Sequence, residues 1–221
     1  MFSSDRVGAV FFDVDGTLVP GTSSSVFLAG FLGHRDELAE AEAAYACGAL
    51  DNRQVSELDA AGWAGTPEER VSDWLDGLPL VTGIAETVAW CRRNDLLPVL
   101  ATLAWSPVGG HLAERFGFHA FCGPRLETAD GRFTGRVARH FDEHDKRDFA
   151  RAQARESGLS LRSCAAVGDS RSDLPLFASV GLSVAFNGSA GARAAATATV
   201  DDGDLRSVLP VLGRLFTAAR R

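Results

Sequence analysis

Short, almost wholly apolar runs recur along this chain, at residues 8–14, 96–102, 119–123, 163–169, 182–186 and 196–200. Apolar runs of this length without alternation mark strands buried on both faces, as in a parallel sheet. Helical periodicity fills most of the intervals. Residues 83–94 place Ile84, Val88 and Cys91 on one face, and 107–117 do the same with Leu112, Ala113 and Phe116; 143–158 and 170–181 complete the set. Strands alternating with helices predict an α/β fold, a doubly wound Rossmann-like parallel sheet. Right-handed crossovers gather the strand C-termini on one edge, where ligands bind in such sheets.

Two segments interrupt the alternation. Residues 125–137 read as a β-hairpin turning at Asp130-Gly131. Residues 20–80 are helical in pattern and predict three or four short helices. Pro67 falls in the first turn of the last, and Phe27, Phe31, Trp63 and Trp74 form their core. Because this block leaves and returns near the strand edge, it reads as an inserted helical cap domain controlling access to a core made of residues 1–19 and 81–221. Residues 21–25 and Pro79–Gly83 are its expected hinges. A chain of 221 residues is long enough for one sizeable core plus such an insertion.

Composition narrows the function classes. A net charge of −7 argues against nucleic acid and acidic membranes as partners. No apolar run reaches membrane-spanning length and no signal-peptide pattern opens the chain. Cys47, Cys91, Cys122 and Cys164 are scattered, without paired spacing, as expected of reduced thiols in the cytoplasm. A monomer or a homodimer is expected.

The predicted strand ends carry the chemistry. Asp13 and Asp15 follow the first strand, Thr102 the second, and Asp169 the fourth, with Asp173 just beyond. Clustered carboxylates repel one another unless a cation neutralises them. Oxygen donors without His or Cys suit a hard ion such as Mg²⁺. Of the 22 basic residues, Lys146 is the one lysine. In so arginine-rich a chain, a retained lysine marks a position that needs a compact ammonium. With the Thr102 hydroxyl beside it, the set makes a receptor for a dianion such as phosphate.

Four segments in order, DxDGT (13–17), Thr102 ending an apolar strand, Lys146 near a helix start and GDxxxD (168–173), resemble the haloacid dehalogenase superfamily of phosphohydrolases. The resemblance spans nearly the whole chain and is greatest to the phosphoserine phosphatase-like branch, which carries a helical cap and a hairpin at these places. It implies that Asp13 is a nucleophile forming an aspartyl-phosphate and Asp15 the general acid and base. It also implies that Asp13, Asp169 and the Asp15 carbonyl hold Mg²⁺ with support from Asp173. Thr102, Lys146 and the backbone N–H groups of Asp15 and Gly16 would hold the phosphate. The implied partner is a small-molecule phosphate monoester.

The chain also departs from that branch. Serine-specific members carry a glutamate soon after the first motif for the substrate amine, and a cap arginine for its carboxylate. Those positions read Thr22 and Asp59 here, and Leu103-Ala104-Trp105 replaces the usual small residues after Thr102. A more apolar pocket follows, with Thr22 and Trp105 in its lining and a bulkier or less anionic substrate than phosphoserine. Phosphoserine hydrolysis itself, phosphoryl transfer, or an inert binding module on the same fold are the alternatives.

Overall fold

A computed structural model describes residues 6–214. Strand β1 (Gly8–Phe12) is followed by α1 (Ser24–Leu32), α2 (Arg35–Ala46), α3 (Asn52–Gly62) and α4 (Glu69–Leu75). Next come α5 (Ile84–Arg93), β2 (Leu96–Leu100), α6 (Ser106–Phe116) and β3 (Ala120–Phe121), then the hairpin β4 (Arg125–Ala129) and β5 (Arg132–Arg139). The chain continues through α7 (Glu143–Glu156), β6 (Ala165–Gly168), α8 (Leu174–Phe177), β7 (Leu182–Phe186), α9 (Ala190–Ala195), β8 (Ala198–Val200) and α10 (Leu209–Leu212).

Every residue of β1, β2, β6 and β7 is buried, as their unbroken apolar runs predict. The pleat sends Phe12, Leu100 and Val167 to one face and Phe11, Val99 and Ala166 to the other, so helices cover both. The sheet is parallel, in the order β3-β2-β1-β6-β7-β8. Strand order therefore reverses at β1, and the crevice between β1 and β6 is the topological switch point of a doubly wound, Rossmann-like sheet. Phe12 pairs with Leu100 on one side and Val167 on the other, which brings the residues after these strands to one edge.

The helices α1–α4 stand between β1 and β2. Their two connections run side by side, since the Val81 N–H donates to Leu18 O at 2.9 Å. Asp51 caps α3 through the Gln54 N–H, and Gln54 returns the bond to the Asp51 N–H. The hairpin turns at Asp130 and Gly131, both at positive φ, as a tight two-residue loop requires. It packs on α3, where Phe133 meets Trp63 edge-on with ring centroids 4.9 Å apart.

Three expectations need correction. Pro67 precedes α4 instead of opening it, and forms a bridge with Arg132 because residues 65–68 run along the hairpin tip. Phe31 is not core. Helices α1 and α4 bury Leu28, Val71 and Leu75, while the exposed Phe31 ring stacks on the half-buried Trp74, which itself packs against the core. Residues 170–181 form no continuous helix. A single 3₁₀ turn, Arg171–Asp173, leads into the short α8, because the Asp173 side chain is drawn back to the preceding loop. Among the described residues no helix is long and apolar enough to cross a membrane. The cysteines are all free thiols.

Candidate active site

The edge formed by β1, β2 and β6 is built first from backbone. Asp13 N–H donates to Val167 O at 2.9 Å, extending the β1–β6 pairing by one residue and fixing the carboxylate over the crevice. The chain then closes a compact loop in which the N–H groups of Thr17, Leu18 and Val19 all converge on Val14 O. Gly16 sits at φ +83°, a conformation that favours glycine, and an added Cβ would lie 2.2 Å from Asp169 Oδ2. Its N–H is spent on Val19 O at 2.9 Å, so this amide does not face a ligand as the resemblance implied. Gly16 instead lets the loop press against Asp169. Gly16→Ala should therefore lower kcat/KM by about 100-fold or more, by displacing Asp169 and straining the loop. Steady-state assays of the folded variant check this, and near-normal rates would count against it.

Lys146, in the first turns of α7, is wholly buried. Its Nζ lies 3.0 Å from Asp13 Oδ1 and donates to Asp173 Oδ1 at 2.6 Å. A buried ammonium between two carboxylates matches the reading that arginine was excluded here, since a guanidinium fork is larger and planar. The two carboxylates hold the ammonium pKa above its ordinary value, despite burial, which acts the other way. The remaining Asp173 oxygen accepts the N–H groups of Asp169 and Ser170 at 3.0 and 3.1 Å. Asp173 thus shapes the loop that presents Asp169, and Thr17 Oγ1 donates to Asp169 Oδ1 at 3.3 Å.

Asp13, Asp169 and Asp173 bring carboxylate oxygens within 4.8 Å of one another. Burial, foremost, and then the neighbouring carboxylates raise Asp169; Asp13 is raised by burial against the pull of Lys146. One ammonium for three acids leaves negative charge in excess. This all-oxygen, charge-rich set fits a hard divalent cation such as Mg²⁺. The sign of the linkage follows. Carboxyls raised in the folded state keep protons that the unfolded chain releases near pH 4, so metal-free stability falls as pH rises from about 4 through neutrality. Thermal melts in EDTA should show that decline and saturating Mg²⁺ should flatten it; identical pH slopes with and without Mg²⁺ would be the contrary result.

Thr102 lies beyond β2, fully buried, with Oγ1 accepting the Ala104 N–H at 3.0 Å and its own proton free for a ligand. Asp15 Oδ1 accepts the Ser24 N–H at the start of α1 at 2.6 Å. Burial raises the Asp15 carboxyl against that bond. Asp13, Asp15, Gly16, Thr102 and Asp169 open directly onto a cavity of about 590 Å³ between the strand edge and the helices α2 and α3, whereas Thr17, Lys146 and Asp173 do not line it.

Thr22 and Trp105 both line the cavity, and the polar hydrogens of both are engaged within the protein. Thr22 Oγ1 donates to Ser23 O at 3.3 Å. Trp105 is buried and its Nε1–H donates to Asp59 Oδ2 at 2.6 Å, joining the sheet edge to α3. Asp59 Oδ1 also accepts from Trp63 Nε1 at 3.1 Å and lies 2.8 Å from His34 Nε2. Three residues of the site escaped the sequence reading: Thr17, Glu42 and Tyr45. The last two sit with Leu38 at helical spacing on one face of α2, a pattern that by itself marks only a face turned inward.

Residues 10–178 match the family model described as haloacid dehalogenase-like hydrolase. The chain belongs to that family. Among its relatives is a phosphoserine phosphatase of Streptomyces coelicolor, 32% identical over 205 residues, covering 92% of this chain and 50% of the relative. Phosphoserine phosphatase SerB2 of Mycobacterium tuberculosis is 29% identical over the same shares. The chain therefore spans about half the length of these two relatives. A solved phospho-aspartyl intermediate analogue of a phosphoserine phosphatase has the same fold, with a TM-score of 0.86, 22% identity, and coverage of 94% of this chain and 100% of that one. Within the haloacid dehalogenase-like hydrolases the chain falls in the phosphoserine phosphatase-like branch.

Proposed function

We propose that this protein is a Mg²⁺-dependent phosphomonoester hydrolase that works through an aspartyl-phosphate on Asp13. The observation that carries the reading is the placement of Asp13 between Lys146 and the cavity, with Asp15 two residues on and also facing it. Lys146 occupies Oδ1 of Asp13, which leaves Oδ2 to attack phosphorus. As the Asp13–phosphorus bond forms, the ester P–O bond breaks, and the departing alkoxide takes the proton of the raised Asp15 carboxyl. Asp15, now ionised, takes a proton from the water that attacks phosphorus next, and the Asp13–phosphorus bond breaks to release inorganic phosphate.

Thr102 Oγ1–H and the Asp15 N–H hold phosphate oxygens, while Lys146 fixes and charges the nucleophile from beneath. Asp13, Asp169 and the Asp15 carbonyl, with support from Asp173, would hold Mg²⁺, which would supply charge stabilisation to the transferring phosphoryl group. Residues 20–80 act as a cap that closes the cavity from water, and Asp59–Trp105 ties that cap to the sheet edge. The cap wall offers no arginine at position 59, which supports a substrate other than phosphoserine.

Release of inorganic phosphate from an aryl phosphate tests the reading. It should require added Mg²⁺ and cease in excess EDTA. No release at any Mg²⁺ concentration would contradict it.

A further inference from the structure

The wall of the cavity formed by α2 carries an unmatched charge. Glu42, on α2, faces the cavity, and Oε1 accepts the Ser23 hydroxyl at 2.6 Å. No cation pairs with its carboxylate among the described residues. Burial, and after it Asp15 and Asp59, push its carboxyl up to about 7 against the pull of Ser23. Asp59 on α3 is buried in the lining of the same cavity.

The cavity lining contains one basic side chain, Arg171, and it is engaged. It donates to Tyr45 O at 2.6 Å, lies 3.7 Å from Glu143, and stacks 4.4 Å from the centre of the Tyr45 ring. The Tyr45 hydroxyl, also in this wall, is buried without a hydrogen-bond partner. Thus the wall formed by α2 presents an unpaired Glu42 carboxylate and an idle hydroxyl to whatever alcohol the phosphate is attached to, and Asp59, its oxygens engaged by Trp63, His34 and Trp105, adds further negative charge nearby. A carboxylate on that alcohol meets repulsion, whereas an ammonium supplies the charge Glu42 lacks.

We propose that Glu42 is the specificity residue of this site, receiving a cationic amine on the alcohol half of the phosphomonoester and rejecting alcohols that carry a carboxylate. This rests on the phosphatase reading above. O-phosphoethanolamine and O-phosphoserine separate the two requirements, because they differ only by the carboxylate; an aryl phosphate bearing neither group serves as reference. With wild-type protein, kcat/KM for O-phosphoethanolamine should exceed that for O-phosphoserine by about 100-fold. Glu42→Gln should lower the ratio of kcat/KM for O-phosphoethanolamine to that for the aryl phosphate by about 10- to 100-fold, the worth of one charge-assisted hydrogen bond. Such a ratio, taken within one preparation, is insensitive to the fraction of folded enzyme.

O-phosphoserine turning over as fast as O-phosphoethanolamine would overturn the proposal and assign the carboxylate to Arg171. A ratio unmoved by Glu42→Gln would overturn it as well. Turnover of the aryl phosphate without either outcome predicted above would leave the phosphatase reading standing alone and this proposal refuted. No turnover of any of the three substrates would remove both.

Discussion

Asp13→Asn should reduce turnover of every accepted phosphomonoester by on the order of 10⁴-fold or more, the loss seen when a covalent nucleophile is removed. The amide keeps the shape of the carboxylate but not its charge, so Oδ no longer attacks phosphorus. Stability should move the other way. Burial raises the Asp13 carboxyl, which means that the folded protein ionises it at a cost. Lys146 keeps Asp173 as its partner at 2.6 Å, so the variant orphans no buried charge. In EDTA near neutral pH its melting temperature should equal or exceed that of the wild type. A rate within about tenfold of wild type would show that another group attacks.

Lys146→Met should be the most destabilising single change in the site. Methionine fills similar volume, but Asp13 and Asp173 then face each other in the interior with no cation between them. Removing one partner of a buried ion pair costs about 3–5 kcal/mol. For a chain of this size that is a fall of about 10 °C or more in melting temperature, measured without metal. Mg²⁺ should recover part of the loss. Activity should stay low even when stability is recovered, since Asp13 has lost the ammonium that orients Oδ1. Lys146→Arg tests the size argument separately: it keeps the charge, yet it should remain destabilised because the buried niche is built around a single nitrogen. A melting temperature unchanged in Lys146→Met would contradict the electrostatic account.

Much of this was legible in the chain because the strands announce themselves. β7 coincides with the apolar run 182–186, and the other runs overshoot their strands only at the ends. At β1 the overshoot has a reason: Asp13 continues the hydrogen bonding to Val167, although regular strand geometry ends at Phe12. The single lysine was informative for the same kind of reason, since few chemical demands exclude arginine. Local patterns failed where distant segments decide the outcome. Pro67 looked like a helix opener, but the hairpin at 125–139 claims its backbone. The Gly16 amide looked available, but Val19, three residues on, takes it. Glu42 gave no signal at all. A glutamate on a helix is ordinarily solvated, and only the placement of α2 against the strand edge turns this one toward Asp15 and Asp59.

The covalent intermediate itself is the most direct test of the central claim. Asp15→Asn, which lacks both the acid for the first step and the base for the second, is mixed with Mg²⁺ and an aryl phosphate, whose leaving group departs without that acid, then quenched in acid and digested. Mass spectrometry should then find a phosphoryl adduct on the peptide containing Asp13, and hydroxylamine should remove it as expected of an acyl phosphate. The adduct should be absent from Asp13→Asn treated in the same way. Phosphate released with no such adduct at any quench time, or an adduct that resists hydroxylamine or lies on a different peptide, would contradict the account.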